Sequence, residues 1–259
     1  MNHFTRVSRT LRKAAVTGFA AIGLLTCAIS ANAAFITNGS FETNTGGGQL
    51  GYNTSATGWT VPTGSTASYF FIFGSGTADT TGVTGQYGNL QLWGPNNGGA
   101  AGNTLPATSP DGGFFIGSDP AYQNGAISQT VTGLTVGDLY KLSFYWAGAQ
   151  QYTFTGATTE GWQVTFGSQT DNTATVSTPS HGFSPWELQS FTFTASSTSQ
   201  VLSFLSTGGP SSSIPPFALL DGVSLTQVPE PGSWTLLLGG LGVLGGLRLT
   251  GLKKKLFKR

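Results

Sequence analysis

Few side chains in this sequence could do covalent or metal chemistry. Between Phe35 and Pro229 there is one histidine, His181, and no cysteine. A zinc site of His and Cys ligands cannot be built from that inventory. A Ser-His-Asp relay could use His181, but no G-x-S-x-G nucleophile turn accompanies it. The stretch Ser177-Thr178-Pro179-Ser180-His181-Gly182-Phe183 reads as a loop, with His181 a surface or turn residue. Hydrolysis of a glycosidic bond needs two carboxyls about 5–5.5 or 6.5–9.5 Å apart. Glu160 and Glu187 are the best pair by default, each close to a tryptophan, yet nothing in the sequence brings them together. Gly240-x-Gly242-x-x-Gly245 matches the letters of a dinucleotide fingerprint. It lacks the preceding strand and βαβ unit that make such glycines bind pyrophosphate, so it is not a cofactor site.

Aromatic rings offer a different chemistry. A flat ring can stack on the apolar face of a sugar while nearby Asn, Gln and Asp read hydroxyl groups. Tyr122, in the turn-rich stretch Asp119-Pro120-Ala121-Tyr122-Gln123-Asn124, and Tyr145, which alternation points away from Phe144 and Trp146, are candidates. Tyr152, Trp162 and Trp186 complete the set. For each of the five, packing in the core or at a sheet edge is the competing reading.

The elements that must position these residues follow from charge and pattern. Only 8% of the 259 residues are charged, and 39 are glycine, which excludes coiled coils and charge-rich helical proteins. The net charge of +1 conceals three segments: two basic ends and a middle with one cation, Lys141, against nine carboxylates, a balance of −8. A body with one cationic side chain cannot neutralise a run of phosphates, so nucleic acid is excluded as its main partner. From Phe35 to Thr226 apolar runs are short, turn signals are dense, and no long helical period appears. Tyr140, Leu142, Phe144 and Trp146 alternate with Lys141, Ser143, Tyr145 and Ala147, predicting a strand with one core face. Trp162–Phe166, Phe191–Thr194, Val201–Leu205 and Phe217–Leu225 predict four more strands, and Asn89–Trp93 another. The aromatic run Tyr69–Phe73 lies in a less regular stretch. The expectation is all-β: an antiparallel jelly-roll β-sandwich over residues 35–226, flanked by an N-terminal signal helix and a single C-terminal transmembrane helix.

Residues 1–34 read as a secretory signal: a basic start, an apolar run from Ala14 to Ile29, and the small-residue site Ala31-Asn32-Ala33. Signal peptidase would cut after Ala33 or after Ala34; a retained anchor is the alternative. Cys27, the one cysteine, leaves with the signal, so the exported protein has no disulfide. Residues 227–259 repeat the three-part logic. Pro229-Glu230-Pro231 precedes about 20 mostly apolar residues, 233–252, and a basic tail, 253–259. As a helix the apolar stretch measures about 30 Å, enough to cross a bilayer, and the tail obeys the positive-inside rule. Motif, apolar stretch and basic tail together resemble the PEP-CTERM sorting signal of Gram-negative bacteria. That resemblance implies export across the inner membrane and transient anchoring there. Processing by an exosortase near Pro229, Glu230 and Pro231 would then release the body to the cell surface or matrix. An uncut tail anchor is the alternative.

The body carries a second resemblance. Asn38-Gly39-Ser40-Phe41-Glu42 with Gly58-Trp59 opens it, Gly133–Gly137 leads into Tyr140–Phe144, and Leu219-Leu220-Asp221-Gly222-Val223-Ser224-Leu225 closes it. This order is similar to the galactose-binding-like jelly rolls of bacterial carbohydrate-binding modules. In those relatives a structural Ca2+ often clips the first and last strands, which implies Glu42 and Asp221 as ligands here. Two acids fall short of the six to eight oxygen donors that Ca2+ takes, and polar groups near strand ends are the alternative. Together the two resemblances imply an exported protein that binds or organises exopolysaccharide. A structural matrix protein with no specific ligand is the alternative, and a secreted glycoside hydrolase a third.

Overall fold

The computed structural model describes residues 35–62, 69–122, 125–210 and 213–229. The signal segment with Ala31, Ala33 and Ala34, the sorting residues Glu230 and Pro231, and both expected flanking helices lie outside the described residues. Among those described there is no helix. Thirteen strands run in the order β1 (Gly48–Gln49), β2 (Phe70–Phe73), β3 (Val83–Gly85), β4 (Gly88–Leu90), β5 (Phe115–Ser118), β6 (Ala126–Thr132), β7 (Leu139–Gln150), β8 (Thr158–Phe166), β9 (Gln169–Asn172), β10 (Val176–Thr178), β11 (Ser184–Thr194), β12 (Ser199–Gly209) and β13 (Pro216–Gln227). They form an antiparallel two-layer sandwich. One sheet has the order β1-β2-β5-β13-β7-β11, and the other β10-β8-β12-β6, with β9 beside β8. The strand expected through Asn89–Trp93 is shorter, because β3 and β4 make a small separate hairpin that ends at Leu90.

Period-two alternation fills the space between the sheets. Tyr140, Leu142, Phe144 and Trp146 from β7 meet Trp162, Val164 and Phe166 from β8 and Leu202 and Phe204 from β12, all at most 1% exposed. The N-terminal segment is tied to the last strand: Val223 N donates to Gly39 O at 3.0 Å. A Cβ at Gly39 would stand 1.9 Å from Val223 O, so only glycine permits this approach. Phe41, 0% exposed, enters the same core and stacks obliquely on Trp59 at 5.1 Å.

A second core explains the irregular middle of the sequence. Tyr69, Phe71 and Phe73 point to the outer face of the six-stranded sheet, while Phe70 and Ile72 point inward. The small side chains of Ala147 and Ala149 leave room on that outer face. Ala78, Val83, Leu90, Leu92 and Leu105 from the long excursion between β2 and β5 cover it. A strand buried on both faces loses its alternation, which is why Tyr69–Phe73 reads as a continuous apolar run.

Candidate functional site

The excursion that covers the second core also builds a groove. Gln86 and Tyr87 form the two-residue turn of the β3–β4 hairpin, which leaves Tyr87 63% exposed. Tyr122 follows the turn after β5 and is 45% exposed. Between them lies Tyr69, buried just before β2, with ring centroids 5.2 Å from Tyr122 and 6.3 Å from Tyr87. Tyr87 and Tyr122 are themselves 5.7 Å apart, edge to face. These rings, with Asp119, Gln151, Phe154 and Pro215, line one depression. Gln151 also lines the adjoining one with Asn89, Gln91, Tyr152 and Thr153, so the two are lobes of one groove.

Backbone pairing fixes both lobes. Gln151 bridges Leu92 and donates its N–H to Pro215 O at 3.2 Å, and Tyr152 N donates to Gln91 O at 2.9 Å. The Tyr152 ring packs edge-on against Trp93 at 4.6 Å, and Trp93 stacks on His181 at 4.0 Å. His181 thus serves as a supporting ring in a turn, with its Nε2 3.0 Å from Thr155 Oγ1. Thr153 adopts a φ of 76°, a strained value for a β-branched residue, at the rim of the polar lobe.

The electrostatics of the groove are those of a neutral surface with one acid. Asp119 is 1% exposed, and its Oδ1 accepts from Ala121 N at 2.8 Å. Burial pushes its carboxyl up to about 6. Burial first, and Asp119 next, push the Tyr69 hydroxyl up to about 12. The Tyr122 hydroxyl is raised first by its hydrogen bond with Tyr87. No lysine or arginine lines either lobe. The groove can therefore offer ring faces, hydroxyls and amides to an uncharged polar ligand.

Of the five aromatic candidates the structure brings two together, Tyr122 and Tyr152, around Gln151. Trp162 is corrected: it is 0% exposed in the sandwich core, with Nε1 donating to Leu219 O at 3.0 Å, and has no free face. Trp186 is half-buried against Phe115 at 5.6 Å, over the second core and away from the groove. Tyr145 is half-buried mid-strand, beside Gly222 and opposite Asp221. Sequence reasoning missed Tyr69, Tyr87 and Gln151. The signal for Tyr87 was there, since Gly85-Gln86-Tyr87-Gly88 is hairpin-turn chemistry that must present its central side chains.

The carboxylate pair is not assembled. Glu160 points between the sheets and is 0% exposed, while Glu187 is exposed on β11 of the other sheet. Glu160 Oε2 accepts from Thr178 Oγ1, its Oε1 has no hydrogen-bond partner, and burial pushes the carboxyl up to about 7. Glu42 and Asp221 come to the same region, level with the middle of β7, but are engaged separately. Glu42 Oε1 accepts from Phe114 N at 2.7 Å, and Asp221 Oδ2 accepts from Ser109 Oγ. Asp221 is 0% exposed with Oδ1 unpartnered, and burial first pushes its carboxyl up to about 8, with Asp111 and Glu42 adding. Among the described residues no three His, Cys, Asp or Glu side chains converge on a metal position.

At the end of β7 away from the groove the last strand leads directly into the C-terminal segment. Val228 N donates to Leu139 O at 2.8 Å, and Pro229 follows. Residues 227–254 match the PEP-CTERM protein-sorting motif. The chain carries a PEP-CTERM sorting signal. That signal implies export and a C-terminal membrane anchor, and it begins one residue before the last hydrogen-bonded backbone position of the sandwich. No curated protein matches the chain. Solved structures similar to the body of this chain include TmCBM61 in complex with β-1,4-galactotriose, 15% identical over 76% of this chain and 99% of that one, TM-score 0.38. A CBM4 structure is 15% identical over 74% and 99%, TM-score 0.32. Arabinose-bound MgGH51 α-L-arabinofuranosidase is 12% identical over 75% of this chain and 26% of that one, TM-score 0.38.

Proposed function

We propose that this is an exported surface or matrix protein whose sandwich retains neutral or lightly charged exopolysaccharide in the Tyr87–Tyr122–Gln151–Tyr152 groove. On this reading signal peptidase removes residues 1–34 and an exosortase cuts near Pro229-Glu230-Pro231. The observation that supports glycan retention is the groove itself: two exposed tyrosines, with side-chain amides alongside. Exposed rings cost free energy in water, and a ligand with an apolar face offsets that cost. The −8 body would repel polyanions, and with Lys141 as its only cation it has almost nothing to pair with them. Affinity electrophoresis through gels of neutral and anionic polysaccharides tests the reading. Retardation by a neutral chain that changes little with salt is the expected result. No retardation by any glycan would leave the structural matrix protein as the better account.

A further inference from the structure

The end of the sandwich from which the sorting segment leaves has its own surface character. It is formed by the loop between β6 and β7, the turn between β11 and β12, and the last residues of β13. Gly137 N donates to Ala195 O at 2.8 Å, and Leu134 N to Thr198 O at 3.1 Å, which knits the two connections together. Two of the large apolar side chains that are exposed among the described residues lie here: Val136 at 57% and Leu139 at 46%. Lys141, the one cation of the body, is exposed at the start of β7, paired with Thr226 and Thr192. Asp138 in this loop is occupied by Gln227 Nε2, and Asp171 sits one level higher on β9. The other seven carboxylates of the body lie toward its middle or far end.

Chain length decides what this end faces. Among the described residues Val228 is the last with a backbone bond to the sheet, and the apolar stretch begins at Ser233. Five residues reach at most about 17 Å when fully extended. The headgroup layer takes up roughly 5–7 Å of that on each side of the hydrocarbon core. The remaining gap of about 10 Å is smaller than the domain, so an anchored body must present this end to the bilayer.

Resting on the reading of residues 233–252 as a membrane anchor, we infer that this exit pole is a lipid-facing surface before sorting, with Val136 and Leu139 in the headgroup region. The opposite end of β7, twelve residues and about 40 Å away, carries Gln151 and the tyrosine groove. The geometry therefore displays the groove outward while the chain is still anchored.

The test uses the signal-processed chain with its C-terminal segment intact, which has no cysteine of its own. Fluorophores are placed at Val136→Cys and, at the far end, Ala101→Cys, both exposed positions. The protein is reconstituted in 3:1 POPC:POPG vesicles containing a headgroup nitroxide lipid. Quenching at position 136 should exceed that at 101 at least threefold. Equal quenching at the two positions, or stronger quenching at 101, would overturn the lipid-facing pole while leaving the anchor intact. If the chain fails to float with the vesicles, the anchor reading itself fails and the proposal falls with it.

Discussion

Glu160 offers the most quantitative check on the interior of the sandwich. Its carboxyl faces Gly148 across the two sheets, where an added Cβ would stand 2.6 Å from Oε2, so no side chain or solvent layer intervenes. Burial raises its pKa from 4.5 to about 7. A raised carboxyl binds its proton more tightly in the folded state. Its contribution is therefore complete below pH 4.5 and is lost as pH climbs toward 7. Integrating those two values gives a loss of about 2.5 kcal/mol between pH 5 and pH 8. Asp119 and Asp221 are raised by burial as well and act with the same sign, so the parent alone does not isolate Glu160. The Glu160→Gln variant does, because the amide keeps the acceptor for Thr178 and cannot titrate. Urea unfolding of residues 35–229, followed by tryptophan fluorescence at pH 5 and pH 8, measures the difference. The variant should lose about 2.5 kcal/mol less than the parent over that interval. A pH dependence equal to the parent's would refute the buried, uncompensated placement of this carboxyl.

Gly39→Ala drives a methyl into the Val223 carbonyl and should destabilise the body by about 3 kcal/mol, read as a shift in urea midpoint; an unchanged midpoint would contradict the tie between first and last segments. Unfolding midpoints in millimolar Ca2+ and in EGTA should coincide, since Glu42, Asp111 and Asp221 fall short of the six to eight oxygen donors that Ca2+ takes; a Ca2+-dependent rise would mean that these acids close on a cation. Mass spectrometry of the exported protein should find an N-terminus at Ala34 or Phe35 and no peptide beyond about Pro231; recovery of the basic tail would contradict sorting by cleavage.

Much of the sandwich was legible because one face of most strands is wet. Alternation in Tyr140–Trp146 and Trp162–Phe166 locates β7 and β8 and assigns their inner faces. The same alternation puts Trp162 with Val164 and Phe166, so its burial could have been read from period two alone. The second core was not legible, because Phe70–Phe73 is buried on both faces and Ala147 and Ala149 carry no pattern. The groove was half legible. Tyr122 and Tyr152 stand in turn-rich sequence, but Tyr69, Tyr87 and Gln151 reach them from distant loops, and only the excursion between β2 and β5 sets that proximity. Burial of Glu160 and Asp221 was equally hidden, since a lone acid in a strand usually faces water.

The central claim is that the tyrosine groove holds the ligand. The direct measurement is retention of Tyr87→Ala and Tyr122→Ala, against the parent, on whichever neutral polysaccharide retards the parent, with urea midpoints recorded in parallel. Tyr87 and Tyr122 are 63% and 45% exposed, so truncation should leave the midpoints within about 1 kcal/mol. Retention should fall at least tenfold in each, which corresponds to about 1.4 kcal/mol. Variants that fold normally and bind as tightly as the parent would place the glycan elsewhere and contradict the account.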